Sequence, residues 1–389
     1  MRAPVWSMMG CVMLLSGLFV TDSAFARPVA RFFYDEDGNV KRQEKDSNRD
    51  GKMDRWIHFD PSGTIIRIEE DKNSDGKSDI NSYFKGGKIE RQDVATQRDG
   101  HIDVWYYFGP DRQVVRQEKD KNRDGKPDTW ITYEGDQPRQ SQEDVDFDGT
   151  PDRVVNFEGG KVASVDESSG GADQLSTRSF FEADGVVRKE VDQDKDGKAE
   201  VVGFYTQGTL TRQQEDINRD GTMDRLLFFE GGQLSRVEES NRRDGKFDTY
   251  DFYVGGVRVG RLRDLNGNGV IDTRYVFRGE NVQVQESDTD NDGFFDLRVL
   301  FKSGQQFLQE ADTNQDRKAD VWVTFTAGKQ SKQEEDSTFD GKVNARYFFR
   351  EGKVIGQEEV AGEVRELPSQ PFGPTQRERT ARAWEFEGS

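Results

Sequence analysis

An aromatic residue returns every 24 or 25 positions along this chain, fourteen times without a miss: Tyr34, Phe59, Phe84, Phe108, Tyr133, Phe157, Phe181, Tyr205, Phe229, Tyr253, Phe277, Phe301, Phe325 and Phe349. A glycine ladder keeps step with it, from Gly51 and Gly76 to Gly293 and Gly341. A fixed period of this length specifies a repeat architecture, in which one small unit buries its apolar side only against its neighbours. It overrides the two or three domains that 389 residues would otherwise suggest.

Each unit has four parts. An acidic loop such as Asp120–Asp128 leads into a short β-type run, Thr129-Trp130-Ile131-Thr132-Tyr133, that ends on the ladder aromatic. A tight turn follows, Gly86-Gly87 or Gly231-Gly232 for example, and then a second β-type run such as Val114-Val115-Arg116-Gln117-Glu118. Glycine pairs between two such runs are a hairpin signal. The residue two before the aromatic shares its face of the strand and is mostly apolar (Ile57, Tyr106, Ile131, Val155, Leu227, Val299). That face reads as buried, with the aromatic column as core. A lone hairpin is marginal, so the hairpins must stabilise one another. The fold class predicted is therefore all-β: an elongated antiparallel array of about 14 hairpins, a β-meander or coiled solenoid, over residues 27–360. A seven-bladed β-propeller, two units to a blade, is the alternative.

Composition fits a thin array better than a thick core. Hydrophobic residues make up only 32 % and mean hydropathy is -0.93, yet 27 Phe, 10 Tyr and 6 Trp argue against disorder. Net charge is -19, which excludes binding to nucleic acid through a general field and makes divalent cations the natural counterions. Residues 1–26 read as a signal peptide, with Arg2, the apolar run 12–20 and Ala24-Phe25-Ala26 as the cleavage site. Export to the periplasm, outer surface or medium follows. Lipidation at Cys11 is disfavoured because the main apolar run lies after it, and no later segment is long enough to span a membrane as a helix. Cys11 is the sole cysteine, so the exported chain needs a staple other than a disulfide.

The acidic loops supply a candidate. Eight fit D-x-[DN]-x-[DN]-G-x-x-[DE] in full. Loop one offers Asp46, Asn48, Asp50 and Asp54; loop two Asp71, Asn73, Asp75 and Asp79; loop four Asp120, Asn122, Asp124 and Asp128. Loop five offers Asp144, Asp146, Asp148 and Asp152; loop seven Asp192, Asp194, Asp196 and Glu200; loop eight Asp216, Asn218, Asp220 and Asp224. Loop ten offers Asp264, Asn266, Asn268 and Asp272, and loop eleven Asp288, Asp290, Asp292 and Asp296. Side-chain oxygens at positions 1, 3 and 5 converge when the chain curls round a cation, glycine at position 6 permits the curl, and position 9 adds a carboxylate. Hard oxygen ligands in a flexible ring favour calcium over magnesium. The competing reading is a set of Asn/Asp/Gly turns with a solvated acidic face, which would need no carboxylate at both positions 1 and 9.

Over its first six positions the loop resembles the calcium loop of EF-hands. It departs at position 12, where Ile57, Ile131 or Val299 stands in place of Glu, and its flanks are strand-like. The nine-residue form resembles the calcium loops of integrin-type repeats and thrombospondin type 3 repeats. The hairpins with Gly-Gly or Asp-Gly turns are similar to MORN-variant and YD-type repeats. These resemblances imply several bound Ca2+ ions, about eight here, in a repetitive exported scaffold.

The remaining loops are eroded. Loop three has Ala95 at position 1, loop six (Ser168, Gly170, Ala172, Asp173) has lost the pattern, loop nine carries Arg242 at position 3, and loop twelve has Arg317 in place of glycine. They fall at every third unit, which argues against a propeller, whose blades would give a period of two. Loop thirteen, with Thr338 and Asn344, breaks that rule.

Catalytic equipment is scarce. His58 and His101 are the only histidines, and no nucleophile elbow, P-loop or dinucleotide fingerprint occurs. A glycosidase carboxylate pair among so many acids is the weaker alternative. The expectation is a non-catalytic calcium-binding structural protein of the cell envelope or exterior. The alternative is an adhesin-like module that meets a surface protein or glycan through Trp56, Trp105, Trp130 and Trp322, which lie on the face opposite the ladder. Residues 361–389 read as a linker and a tail, unstructured or a short helix, with Trp384 and Phe386 as docking candidates.

Overall fold

The computed structural model describes residues 29–168, 175–183, 185–365, 370–373 and 375. The leader at 1–26 with Cys11, the eroded positions Gly170, Ala172 and Asp173 of loop six, and Trp384 and Phe386 lie outside them. The described chain is all-β: 28 strands and no helix. They fall into two compact units that meet at Pro127 and Asp128. The first holds β1 (Ala30–Tyr34) to β8 (Val114–Lys119), and the second β9 (Thr129–Glu134) to β28 (Lys353–Glu363). The period is the same on both sides of that division, so the ladder gives no sign of it.

Within each unit every strand pairs antiparallel with the next. A propeller would break this pairing after every fourth strand. Both possible phases of such a break are bridged, by Ile68↔Ser82 and Gln213↔Leu227 in one and by Gln43↔Ile57 and Ser141↔Val155 in the other. The meander is the architecture, and the propeller alternative falls.

The ladder aromatic has a second role that periodicity did not reveal. In all fourteen hairpins the register slips by one residue immediately before it, as between His58 and Phe59 or Phe228 and Phe229. Each aromatic therefore sits on a β-bulge, opposite an aliphatic residue in pairs such as Phe59↔Ile65, Phe157↔Val162 and Phe229↔Leu234. A bulge in every hairpin adds strand twist at a constant interval. Two-residue turns beyond it such as Gly231-Gly232 take positive φ at both central residues, +57° and +79°, which is the type I′ hairpin geometry, whereas the longer turn over residues 60–63 has it only at Gly63, +82°.

The aromatic column is not the core that the pattern suggested. Tyr34 is 61 % exposed, and the other thirteen ladder rings are only half-buried. The reason is the single layer: among the described residues no second sheet or helix covers them, and each ring faces its cross-strand partner. Burial is found instead at Val155, Val299 and Val323, two residues before the aromatic on the same face, and most completely on the opposite face. Tyr250, Phe252, Leu262, Ile271 and Val276 form one cluster, and Phe295, Ala319, Trp322, Val343 and Phe372 another.

Elsewhere that opposite face covers itself with cations. Arg67 and Arg91 flank the Tyr83 ring at 5.4 and 5.6 Å, and Arg91 and Arg116 flank Tyr107 at 5.8 and 5.3 Å. Arg212 lies 4.1 Å over Phe204 and Arg236 4.1 Å over Phe228. Each guanidinium lays its apolar stem and planar head on a ring while neighbouring carboxylates, such as Asp93 at 2.6 Å from Arg91, hold it in place. A chain with 34 % charged residues thus uses them as the lid that a second layer would otherwise supply.

The array also runs further than the pattern implied. β28 ends at Glu363 rather than near 360, and the chain then folds back. Phe372, 3 % exposed, fills the second cluster beneath the Arg298 guanidinium. The backbone is tied down by Phe372 N–H to Arg317 O at 2.9 Å and Thr375 N–H to Gly293 O at 2.9 Å. No helix occurs among the described tail residues. A Pro-Phe-Gly stretch without periodicity gave no hint that its phenylalanine is core.

Candidate metal centres

Each acidic loop is built by its own carboxylates folding the backbone around themselves. In loop eight, Asp216 opens the turn: its Oδ2 accepts the Gly221 N–H at 2.7 Å and its Oδ1 the Arg219 N–H at 2.7 Å. Asn218 Oδ1 accepts the Asp220 N–H at 3.1 Å, and Asp220 Oδ1 accepts the Thr222 N–H at 2.8 Å. Asp224 closes the loop by accepting the Ile217 and Asn218 N–H groups at 3.0 and 3.1 Å. The first three are successive Asx-type turns, each side chain satisfying a donor two or more residues on, and Asp224 reaches back to the start of the loop. Loops one, two, five, ten and eleven repeat the contact from position 6 to position 1, at 2.8, 2.7, 2.8, 2.7 and 3.0 Å. Asp120 accepts from Gly125 likewise at 2.8 Å in the first unit, while Asp128 opens the second, buried at 3 % exposure.

Position 4 carries a feature the motif does not show. Arg49, Ser74, Arg123, Phe147, Lys195, Arg219 and Asn291 all take positive φ between 61° and 65°. Non-glycine residues rarely accept that conformation. At Ser74, Arg123, Lys195, Arg219 and Asn291 their own N–H, donated to the position 1 carboxylate beside that of position 6, holds them to it, whereas among the described residues Asp46 and Asp144 accept only from position 6. Loop twelve extends the point: Arg317 takes φ 71° where glycine belongs, its N–H still reaches Asp312 Oδ2 at 2.7 Å, and its guanidinium stacks 3.8 Å over Phe294. Loss of the glycine therefore left the loop's geometry in place.

The predicted ligands do not all converge. Carboxylate oxygens of three or more residues lie within 4.8 Å of one another in loop five (Asp144, Asp146, Asp152), loop seven (Asp192, Asp194, Asp196, Glu200) and loop eleven (Asp288, Asp290, Asp296). These groups can hold a metal ion. Asp148 and Asp292 stand outside the groups, their Oδ1 atoms accepting the N–H of Thr150 at 2.7 Å and of Phe294 at 2.8 Å. Where position 3 is Asn, its amide instead donates to the position 5 carboxylate, from Asn48 to Asp50 at 3.0 Å, Asn73 to Asp75 at 3.1 Å, Asn122 to Asp124 at 3.3 Å and Asn218 to Asp220 at 2.9 Å. In loop ten the Asn266 amide turns to Asp272 at 2.9 Å, and Asn268 Oδ1 takes the Val270 N–H at 2.7 Å.

Electrostatics follows that line only in part, since the Val145 N–H and the Ser168 hydroxyl hold Asp152 of loop five below its ordinary value. The Lys52 N–H, and after it the Asn48 amide, hold Asp50 below its ordinary value, and Asp75 and Asp220 are lowered in the same manner. At Asp146 the Asp148 N–H pulls downward, but lost hydration and the carboxylates of Asp148, Asp152 and Asp144 outweigh it and leave the group raised. Burial likewise pushes Asp288 up against the Gly293 and Asn291 N–H groups. A bound cation would relieve such crowding.

The donor set also fits a cation at the loop ends. Asp46, Asp79, Asp144 and Asp224 are 5, 1, 4 and 1 % exposed, and each keeps a buried Oδ1 with no hydrogen-bond partner. An orphaned buried carboxylate oxygen is costly, and coordination to a metal would satisfy it.

Neighbouring loops touch in a constant register: position 3 of one meets position 4 of the next. Asn48 Nδ2 donates to Ser74 Oγ at 3.1 Å, and Asn266 Nδ2 to Asn291 Oδ1 at 2.7 Å. In eroded loop nine Arg242 crosses to loop ten and donates to the carbonyls of Asp264 and Leu265, both at 3.3 Å, packing on Gly267. That arginine occupies a ligand position yet braces the adjacent loop.

His58 is half-buried and paired with Glu69 at 2.8 Å, and His101 lies 3.7 Å from Asp120. Trp56, Trp105 and Trp130 are half-buried, whereas Trp322 is 6 % exposed, with Arg365 stacked 4.8 Å over its ring. An open tryptophan platform is not what that column forms.

No family model matches this chain, and no curated protein matches it. Among solved structures, S. aureus TarM is 15 % identical over 31 % of this chain and 21 % of its own, with a TM-score of 0.18. The accessory secretory protein 1, 2 and 3 structure from Streptococcus pneumoniae is 16 % identical over 43 % and 22 %, with a TM-score of 0.15. The Photorhabdus luminescens Tc holotoxin pore is 13 % identical over 84 % and 19 %, with a TM-score of 0.17. The chain spans about a fifth of the length of these solved chains. Likenesses this faint carry no argument about what it does.

Proposed function

We propose that this chain is a non-catalytic, calcium-binding structural repeat protein of the cell envelope or exterior. The observation that carries the reading is the set of orphaned, buried carboxylate oxygens at Asp46, Asp79, Asp144 and Asp224, at the ends of the tightly curled loops one, two, five and eight. Backbone N–H groups occupy part of each carboxylate, but a carboxylate has about four lone-pair sites, so a cation and the Asx turns coexist on the same side chains. Oxygen-only donors on a flexible loop suit calcium better than magnesium, which demands near-ideal octahedral geometry. Eight divalent ions would bring sixteen positive charges to a chain of net charge -19. The role is to neutralise and stiffen the loop edge of a single-layer array that has no disulfide and little core.

Extracellular calcium modules bind at ~10⁻⁴–10⁻³ M, so such sites fill outside the cytoplasm and stay empty within it. That agrees with the signal-like first 26 residues. Calorimetric titration of the full chain with calcium and then magnesium tests the reading. Binding of several calcium ions per chain in that range, with magnesium much weaker, is expected. Absence of calcium binding at millimolar concentration would end it.

A further inference from the structure

Both terminal strands present open edges. Every other strand has partners on its two sides within its unit or stands at the division between units. β1, by contrast, pairs only with β2 (Val40–Lys45), and β28 only with β27 (Val343–Arg350), among the described residues. The two edges are also apolar: Phe32 and Tyr34 are 51 and 61 % exposed, and Val354 and Ile355 56 and 57 %. Terminal repeats of an array ordinarily carry a polar outer face. Unpaired N–H and C=O groups beside exposed apolar side chains form a template for another strand.

We propose that these edges complete each other between copies of this chain, β28 of one copy pairing with β1 of the next in an open head-to-tail assembly. Strand direction permits it. Within the array the second strand of each hairpin joins the first strand of the following one, antiparallel and in constant register. The pairs Arg42↔His58, Gln43↔Ile57, Glu44↔Trp56 and Lys45↔Arg55 recur as Lys332↔Phe348, Gln333↔Tyr347, Glu334↔Arg346 and Glu335↔Ala345. β28 is a second strand and β1 a first strand. One further step of the same register sets Gly356 opposite Phe33 of the next copy, Gln357 opposite Phe32, Glu358 opposite Arg31 and Glu359 opposite Ala30.

Charge and shape agree with that register. Glu358 against Arg31 repeats the cross-strand ion pair found at internal junctions, Glu286–Arg298 at 2.9 Å and Glu334–Arg346 at 3.0 Å. Gly356 against the Phe33 ring repeats the small-against-large pair Gly260↔Val276. Symmetric alternatives are disfavoured. Two β28 edges would set Glu358, Glu359 and Glu363 against their own copies, and two β1 edges would set Arg31 against itself. The contact is therefore heterologous, and it propagates.

Analytical ultracentrifugation of the full chain, purified as the cell produces it, tests this over a wide concentration series. Moderate salt is needed to screen the net charge of -19. Species that grow one chain at a time beyond the dimer are expected. Arg31→Glu or Glu358→Arg alone should hold the chain monomeric with its β-type circular dichroism unchanged, since both side chains are exposed. Combining the two substitutions in one chain, or mixing the two single variants, should restore growth. A chain that stays monomeric throughout, one that stops at a dimer, or one whose assembly ignores both substitutions would overturn the proposal.

Discussion

Asp224→Asn separates a metal loop from an acidic turn by removing the charge at nearly constant shape. Asp224 is 1 % exposed; Oδ2 accepts two backbone N–H groups, and Oδ1 has no partner. In the metal-free chain the asparagine oxygen keeps both acceptances. Losing charge assistance costs about 1 kcal/mol, while the amide nitrogen takes the place of Oδ1, so that one buried unpaired polar group replaces another. The net change in chelator is therefore within about 1 kcal/mol of zero. With calcium the arithmetic differs. A site of Kd ~10⁻⁴ M at ~5 mM calcium stabilises its loop by about 2 kcal/mol, and the variant forfeits most of that. Global melts blur such a local effect, because repeat arrays are not two-state. Amide exchange of the loop is the better readout, since the Ile217, Asn218 and Gly221 N–H groups are held by these carboxylates. Their exchange should quicken roughly thirtyfold in calcium and far less in chelator. Equal quickening in both conditions would refute the metal argument and leave Asp224 a turn residue.

Other outcomes follow from packing and charge. Phe252→Ala, at a side chain with 0 % exposure in a cluster with Tyr250 and Leu262, should destabilise the second unit by about 3–5 kcal/mol in urea unfolding, far more than Phe229→Ala at a half-buried ladder position. Phe372→Ala should loosen the folded-back tail and redden Trp322 emission, because both side chains belong to one buried cluster. Burial works against the Glu334 charge, but hydrogen bonds from Arg346 and Lys332 outweigh it and lower the group below its ordinary value. Its stabilisation is therefore present above the usual carboxylate range and lost as pH falls through the lowered value, so Glu334→Gln should flatten the acid limb of the stability curve.

Much of the architecture was legible because the period is strict: fourteen aromatics, hairpin turns and interleaved acids specify an antiparallel meander. Burial was not legible. Periodicity places Phe59 and Ile57 on one face, but whether a second layer covers that face is a property of the whole chain. Here arginines lid the other face instead, a use of charge that reads in sequence as solubility. The bulge at every ladder aromatic left no mark, since one extra residue in a strand looks like any other. For the loops, the motif located the curl correctly, yet it treated Asn and Asp at position 3 as equivalent. Asn48 and Asn218 carry a donor that hydrogen-bonds the adjacent acid and helps hold it ionised, whereas Asp146, Asp194 and Asp290 complete a carboxylate group. The folded-back Phe372 was invisible because nothing local marks a single phenylalanine as core.

Thermal unfolding of the full chain, followed by circular dichroism in EDTA and then with calcium raised to several millimolar, bears most directly on the claim that calcium staples this array. A large rise in Tm that magnesium does not reproduce is predicted. An identical melt in EDTA and calcium would contradict it, and the loops would stand as self-satisfied acidic turns.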